Sequence, residues 1–205
     1  MNIGIVLEEV IRWIALNYVE VIGSLLGIVY VILATKQSIW CWYAGFINVS
    51  IYIFVFLEAR LYGDMALQMF YLIMSFYGWY NWKYAKTNKN SKLAITNISR
   101  KVFIYLLAIT IILSIGFGYI LTFTNTDVPH WDGVTTALGL IGTWMTAKKY
   151  IENWLVWIVA NILCVGIYYY KGLYPTVGFY TIITILAVIG YYQWKKVQLK
   201  IKLSE

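Results

Sequence analysis

Long apolar runs separated by short polar segments recur along the whole chain. A helix needs about 20 apolar residues to cross a bilayer, with a range of roughly 17–25. The runs are too long for barrel strands, and apolar residues do not alternate with polar ones within them. The pattern therefore predicts an all-α integral membrane protein with seven spans, at residues 17–35, 39–57, 62–82, 102–124, 130–147, 151–170 and 174–194.

Three segments lie outside these spans. Residues 1–16 are amphipathic and carry Glu8, Glu9 and Arg12, which indicates an interfacial lead-in helix. This segment lacks the basic start and the small-residue cleavage site of a signal peptide. Residues 84–101 are rich in Lys, Asn and Ser and predict a basic, solvated loop, and residues 196–205 form a short polar tail.

The composition excludes several classes of protein. Hydrophobic residues make up 61% of the 205 residues and charged residues only 12%, whereas soluble domains carry about 45–50% and roughly 25%. A soluble enzyme, a disordered chain and a secreted disulfide scaffold are therefore not expected. Cys41 and Cys164 lie inside apolar runs and are interpreted as small buried hydrophobes. No metal site and no cofactor is expected.

The distribution of charge predicts the orientation in the membrane. The net charge is +7, but the basic residues flank the spans and do not cluster as they do in nucleic-acid-binding proteins. Of the 16 Lys and Arg residues, 13 fall on one side of the bilayer, which leaves Arg12, Arg60 and Lys171 on the side of the N-terminus. The positive-inside rule then puts the N-terminus outside and the C-terminus in the cytoplasm. The lipid bilayer, and no nucleic acid, is the expected large partner.

An internal repeat appears when the sequence is shifted by 112 residues. The aligned pairs include Leu26–Gly27 with Leu138–Gly139, Lys36 with Lys148, Trp42 with Trp154, Gly78 with Gly190, and Trp82 with Trp194. Tryptophan, glycine and lysine are hard to match by chance at one constant offset. Two three-helix repeats, 17–83 and 130–195, are therefore predicted, joined by a linker helix at 102–124. One linking span gives both repeats the same orientation (3+1+3), and parallel repeats occur in transporters.

Two asparagines lie at membrane depth in equivalent spans. Asn48 and Asn161 stand at the midpoints of the second and sixth spans and coincide, within one residue, under the repeat. An asparagine in a span either links helices by hydrogen bonds or contacts a ligand. Both alternatives stay open from the sequence.

Polar and aromatic residues at helical spacing mark three of the spans. The stripes are Asp64, Gln68, Tyr71 and Ser75; Asp132, Thr136, Gly139 and Thr143; and Trp154, Trp157 and Asn161. Three such stripes in a protein with a hydrophobic outer surface predict a cavity between the helices. The candidate substrate-binding residues are Asn48, Gln68, Tyr71, Thr136, Trp154, Trp157 and Asn161.

The lining predicts the chemistry of the substrate. Glu20, Asp64 and Asp132 form an acidic ring at the outer mouth, and no Lys, Arg or His lies near the midplane. A phosphorylated ligand would need cationic donors inside, whereas aromatic faces and acidic groups suit a flat-ringed cation. The aromatic residues Trp79, Tyr80, Trp82, Tyr192 and Trp194 are assigned instead to interfacial belts.

Two other functional classes are less well supported. The midplane lacks the nucleophile–base pair or paired acids that an intramembrane enzyme needs. A channel would need repeated polar rings, and bulky aromatic residues stand there instead. The chain is therefore expected not to be an enzyme.

The residues with the strongest resemblance to a known family are rich in Trp and Asn. They are 39–42 through Asn48, 60–64 with 67–68, 77–82, Trp131–Asp132 with Thr135–Thr136, and 152–154 through Trp157 and Asn161. Across residues 17–196 the sequence resembles the PnuC family of bacterial vitamin transporters. The resemblance implies a SWEET-like 3+1+3 fold, a homotrimer in the bacterial inner membrane, and nicotinamide riboside as the typical substrate. Gln68 and the face of Trp154, Trp157 and Asn161 match the binding motifs of the family.

The choice of vitamin stays open at this level. Nicotinamide riboside is an unphosphorylated, flat-ringed cation, and so is thiamine. Members of the same family handle thiamine, riboflavin or deoxynucleosides. The spans carry no acid near the midplane and the chain has no phosphate-cradling loop. Facilitated diffusion is therefore expected, with trapping of the vitamin by a separate cytoplasmic kinase.

Overall fold

The computed structural model describes residues 8, 12, 15–58, 60–85 and 93–204, except the side chains of residues 20, 62, 202 and 204. Most of the predicted lead-in and residues 86–92 of the predicted loop lie outside the described residues. Seven helices occupy the rest: α1 Tyr18–Thr35, α2 Trp40–Glu58, α3 Tyr62–Tyr84, α4 Arg100–Leu121, α5 Pro129–Ala147, α6 Asn153–Tyr170 and α7 Tyr174–Ser204.

Each predicted span overlaps one of these helices. α4 begins at Arg100, where the hydroxyl of Ser99 accepts a hydrogen bond from the backbone N–H of Val102. α7 continues to Ser204, beyond the expected end of its span. Within the described residues, four helices are both long and apolar enough to cross a membrane: Trp40–Glu58, Arg100–Leu121, Asn153–Tyr170 and Tyr174–Ile201.

Six of the seven helices form a closed ring. Going around it, α1 contacts α2, α2 contacts α3, α3 contacts α5, α5 contacts α6, α6 contacts α7, and α7 returns to α1. We call α1–α3 the first half and α5–α7 the second half. α4 lies outside the ring and packs on α5, where Gly118 faces Gly133 and the absence of side chains lets the two backbones approach closely.

Tryptophan–glycine contacts recur in the two halves at the 112-residue spacing. In the first half the ring of Trp42 lies where a Cβ on Gly78 would be. In the second half the ring of Trp154 lies 2.7 Å from the position of a Cβ on Gly190. In each half, therefore, an indole of the second helix packs directly on the backbone of the third.

The turns between helices also recur at this spacing. Gln37 and Lys149, which follow α1 and α5, have φ angles of 54° and 55°. Arg60 and Gly172, which follow α2 and α6, have φ angles of 57° and 71°. Three of these four positions hold side chains that tolerate the left-handed region poorly, so the shared backbone path is imposed by the helix packing around each turn.

The long connection before α4 is partly built into the fold. Thr96 N donates to the carbonyl of Lys149 (3.2 Å), and the carbonyl of Thr96 accepts from the N–H of Ile151 (3.0 Å). The carboxylate of Glu152 accepts from Asn97 Nδ2 and from the N–H of Ile98, at 3.0 and 3.1 Å. Together with Ile95, which is 4% exposed, these contacts hold residues 93–99 against the α5–α6 turn.

The assignment of the aromatic belt needs correction at two residues. Tyr80 and Tyr192 are exposed, as a belt requires, but Trp82 is 5% exposed and Trp194 is fully buried. Their rings lie 6.1 Å apart and belong to one buried cluster with Trp42 and Trp154. A tryptophan near the end of a span suits either a lipid interface or a helix contact, and only packing distinguishes the two.

Candidate functional site: a cavity inside the helix ring

A cavity of about 1980 Å³ lies inside the ring. It reaches residues 123–127, Arg60 and Lys171 at the end of the ring where α1 begins, which we call the open end. Its innermost lining includes Trp42 and Trp154, near the end where α1 finishes, which we call the closed end. The buried tryptophan cluster lies across that closed end.

The residues predicted as substrate-binding all line this cavity. They come from α2 (Asn48), α3 (Gln68, Tyr71), α5 (Thr136) and α6 (Trp154, Trp157, Asn161). The helical stripes therefore converge on one space, as the sequence indicates.

The two equivalent asparagines have different surroundings. Asn48 Nδ2 donates to the carbonyl of Gly23 at 2.8 Å, so this side chain links α2 to α1. Asn161 is 3% exposed, and its Nδ2 has no hydrogen-bond partner among the described residues. A buried amide donor without a partner costs roughly 1–3 kcal/mol. Asn161 is therefore the asparagine with hydrogen-bonding capacity left for a ligand.

The two tryptophans of α6 also differ. Trp154 is 3% exposed and meets Trp194 edge to face at 5.5 Å. Trp157 is half-buried, and its Nε1 donates to the hydroxyl of Thr146 at 3.1 Å. That bond fixes the plane of the Trp157 ring. Trp157 is thus the more accessible aromatic face.

Thr146 is a site residue that the sequence interpretation missed. Its hydroxyl lies 2.8 Å from the carbonyl of Gly142 and 3.1 Å from Asn153 Oδ1, either of which accepts its proton. It lines the cavity beside Trp157. The signal was present, because Thr146 continues the α5 stripe three residues after Thr143.

An aromatic ring packs on a glycine between the first two helices of each half, but the ring and the glycine lie on opposite helices in the two halves. In the first half the ring of Tyr30 on α1 approaches Gly45 on α2, with 3.2 Å to the position of a Cβ. At the equivalent positions of the second half, Gly142 on α5 receives the ring of Trp157 on α6, at 3.0 Å. Equivalent positions of the two halves thus present different aromatic contacts at the cavity wall.

Tyr71 crosses from the first half to the second. Its hydroxyl fills the place that a Cβ on Gly139 would take. Only glycine allows this approach of α3 to α5, one of the two helix pairs that join the halves. Gly139 thereby positions a phenol group in the cavity wall beside the predicted residues.

The charged lining is confined to the open end. Asp132 lies 3.6 Å from Lys171 Nζ and accepts a hydrogen bond from the hydroxyl of Thr126. Asp64 lines the same region, as does Arg60. Glu20 belongs to α1, but its side chain lies outside the described residues. Deeper in the cavity, the described lining is aromatic, aliphatic and neutral polar.

Cavities between two similar groups of helices are found in membrane transporters. The family model described as nicotinamide mononucleotide transporter matches residues 17–196. The chain belongs to this family. It is therefore a multi-pass membrane protein, and the resemblance seen in the sequence is confirmed.

Curated relatives carry more specific names. The chain is 26% identical over 204 residues to the nicotinamide riboside transporter PnuC of Escherichia coli strain K12, covering 87% of this chain and 85% of that protein. It is 24% identical over 183 residues to the riboflavin/roseoflavin transporter RibM of Streptomyces davaonensis, covering 85% and 83%. Both relatives match over nearly their whole length.

A solved structure shares the fold. The crystal structure of the vitamin B3 transporter PnuC matches with a TM-score of 0.73 and 22% sequence identity. It covers 94% of this chain and 87% of the other. At this identity the likeness concerns the fold alone.

Proposed function

We propose that this chain carries nicotinamide riboside across the membrane by facilitated diffusion. The observation that carries the proposal is the cavity itself: a neutral, aromatic interior reached through an acidic open end. Nicotinamide riboside matches that gradient, because it combines a cationic aromatic ring with an amide and a ribose and has no phosphate. The names of the relatives support the same substrate.

We assign the ring of the substrate to the face of Trp157. The hydrogen bond to Thr146 fixes this indole, so stacking on it requires little further ordering. A desolvated cation–π contact contributes up to about 2 kcal/mol. Asn161 Nδ2 then donates to a substrate oxygen, which satisfies a buried N–H without another partner in the described part of the chain. Asn48, Gln68, Tyr71, Thr136 and Trp154 complete the proposed binding wall.

The riboside is preferred over the mononucleotide for an electrostatic reason. A phosphate group carries nearly two charges and needs Arg or Lys donors within the cavity. Among the described lining residues the cations are Arg60 and Lys171, both at the open end, and Lys171 faces Asp132 at 3.6 Å. A phosphate deep in this cavity would thus stay uncompensated.

Facilitated diffusion only equilibrates the vitamin, so a separate step is needed to retain it in the cell. Asp64, Asp132 and Glu20 are proposed to attract the cation at the outer mouth, with the N-terminus outside and the C-terminus in the cytoplasm of a bacterial cell. Phosphorylation by a separate cytoplasmic kinase would then trap the vitamin. The chain itself is proposed to consist of two parallel three-helix repeats joined by α4, to assemble as a homotrimer and to have no catalytic activity.

Thiamine is the second candidate. Its thiazolium ring is also a flat cation without phosphate, so the acidic and aromatic lining suits it as well. Riboflavin, which the name of RibM indicates for that relative, is neutral and larger. Its isoalloxazine ring would gain stacking but no attraction from the acidic mouth.

Binding of labelled nicotinamide riboside to the purified protein tests the proposal. We expect saturable binding that excess unlabelled riboside abolishes and that equimolar nicotinamide mononucleotide leaves nearly intact. Thiamine and riboflavin serve as parallel competitors. Stronger competition by thiamine than by the riboside would reassign the substrate, and stronger competition by the mononucleotide would refute the electrostatic argument.

A further inference from the structure

Two equivalent hydrogen bonds at the closed end each connect a donor in one half to an acceptor in the other half. Trp82 Nε1, at the end of α3, donates to the carbonyl of Thr146 in α5 at 3.2 Å. Trp194 Nε1, in α7, donates to the carbonyl of Ala34 in α1 at 3.1 Å. Both donors and both acceptors are related by the 112-residue spacing. Each half therefore binds the last turn of the first helix of the other half through an indole N–H.

A third contact joins the same ends of the halves. Lys149 Nζ donates to Gln37 Oε1 at 3.3 Å, and these two residues again occupy equivalent positions, in the turns after α5 and α1. Lys149 is 7% exposed and lies over the ring of Trp82 at 4.7 Å. The indole bonds and the lysine thus form one buried, connected group.

Two polar contacts nearer the open end, in the described part of the chain, lie within a half. Asn48 bonds to Gly23 inside the first half, and Asp132 faces Lys171 inside the second. The bonds that must break when the halves separate at the closed end are therefore concentrated in a single layer. Breaking these bonds, without any rearrangement of the cavity lining, would open the closed end.

We propose that Trp82 and Trp194 are the gate residues of the closed end. In the state described here, both indole N–H groups are bonded across the halves and the cavity is closed on that side. In the alternate state both bonds are broken and the halves separate beneath the cavity. The inference rests on the proposed function only in treating the chain as a carrier that opens at each end in turn.

Labelling of Cys41 measures this gate without any substrate. Cys41 is fully buried in the tryptophan cluster, and the chain has only one other cysteine, Cys164. In a Cys164→Ser background, an impermeant maleimide is applied to membrane vesicles of each sidedness. Trp82→Phe and Trp194→Phe remove one donor each and keep an aromatic ring. We expect each to label about fivefold faster from the closed-end side, and the double variant faster still.

Two further variants separate gating from loosening of the fold. Trp79→Phe is the matched control on the same helix as Trp82 and should label at the parental rate. Gln37→Glu converts the contact with Lys149 into an ion pair, so it should slow labelling, a change that misfolding cannot produce. Unchanged labelling in both gate variants, or equal acceleration in Trp79→Phe, would overturn the inference. Because no vitamin is present, these results are independent of the choice of substrate.

Discussion

At the scale of single residues, two side chains at equivalent positions of the repeat differ in their hydrogen-bond partners. Asn48 and Asn161 stand at nearly equivalent depths. The first uses its amide nitrogen to link two helices, whereas the second keeps a buried amide nitrogen without a partner in the described part of the chain. The equivalence of sequence therefore does not extend to function, and the two positions should respond differently to substitution.

Replacing Asn161 by leucine should weaken substrate binding by about 1–3 kcal/mol, or roughly 5- to 150-fold in Kd, because one charge-neutral donor is lost. Asn81→Leu is the matched control. Asn81 is also buried with an Nδ2 that lacks a partner in the described structure, but it does not line the cavity. Calorimetric titration with nicotinamide riboside measures both variants. Equal losses of affinity would exclude a specific contact at Asn161.

Substitutions of Trp157 separate stacking from simple packing. Trp157→Leu keeps an apolar side chain but removes the aromatic face, so a cationic substrate should lose more affinity than a neutral analogue with a reduced ring. The expected difference is about 0.5–2 kcal/mol, the range of a cation–π contact. Trp157→Phe should recover part of it. If the cation and the neutral analogue weaken by the same factor, the indole acts only through packing.

At the scale of helices, small residues set the distance between neighbours. Trp42 on Gly78 and Trp154 on Gly190 place an indole directly against a helix backbone in each half. These contacts also support the buried ring pairs Trp42–Trp82 and Trp154–Trp194, at 5.4 and 5.5 Å and nearly perpendicular in both halves. Glycine at both positions is thus a packing requirement and not a source of flexibility.

Alanine at Gly78 or Gly190 should destabilise the protein by about 1–3 kcal/mol, since the added Cβ overlaps an indole ring that has no room to move. Gly166→Ala is the control: it lies inside α6 and nothing approaches within 4 Å of its Cβ position. That substitution should be neutral or stabilising by up to about 1 kcal/mol. Thermal unfolding in detergent gives the midpoints, and a drop in the Gly166 variant as large as in the others would contradict the packing explanation.

At the scale of the whole molecule, the position of charge decides how transport is driven. Carriers driven by protons place Asp, Glu or His within the membrane. The acids among the described lining residues of the cavity, Asp64, Asp127 and Asp132, are all at the open end. Among the described residues, the lining beyond the open end therefore offers no carboxylate or imidazole to relay protons.

Uptake into proteoliposomes should equilibrate labelled vitamin inside and outside, and an imposed proton or sodium gradient should not raise the internal level above equality. The physical reason is that no carboxylate or imidazole lies deeper in the described lining to couple the substrate to an ion. A membrane potential is clamped with matched potassium, because the substrate itself is a cation. Clear accumulation under either gradient would show coupling and contradict facilitated diffusion.

The sequence by itself determined the number of helices in the described chain, their approximate bounds and seven residues that line the cavity. Those properties follow from the lengths of apolar runs and from helical spacing, which are local. It also predicted a repeat, since the 112-residue spacing between Trp82 and Trp194 needs no coordinates. The family followed from the same Trp- and Asn-rich stretches.

Only the tertiary structure decided which residues have partners. Trp82 and Trp194 were assigned to a lipid interface, yet both are buried and bonded across the halves. Lys149 and Ile95 lie in segments that look solvated, yet both are buried. A sequence records what a side chain can bind. The burial and the partners of Trp82 and Trp194 depend on residues more than sixty positions away, which come close only when the helix ring closes.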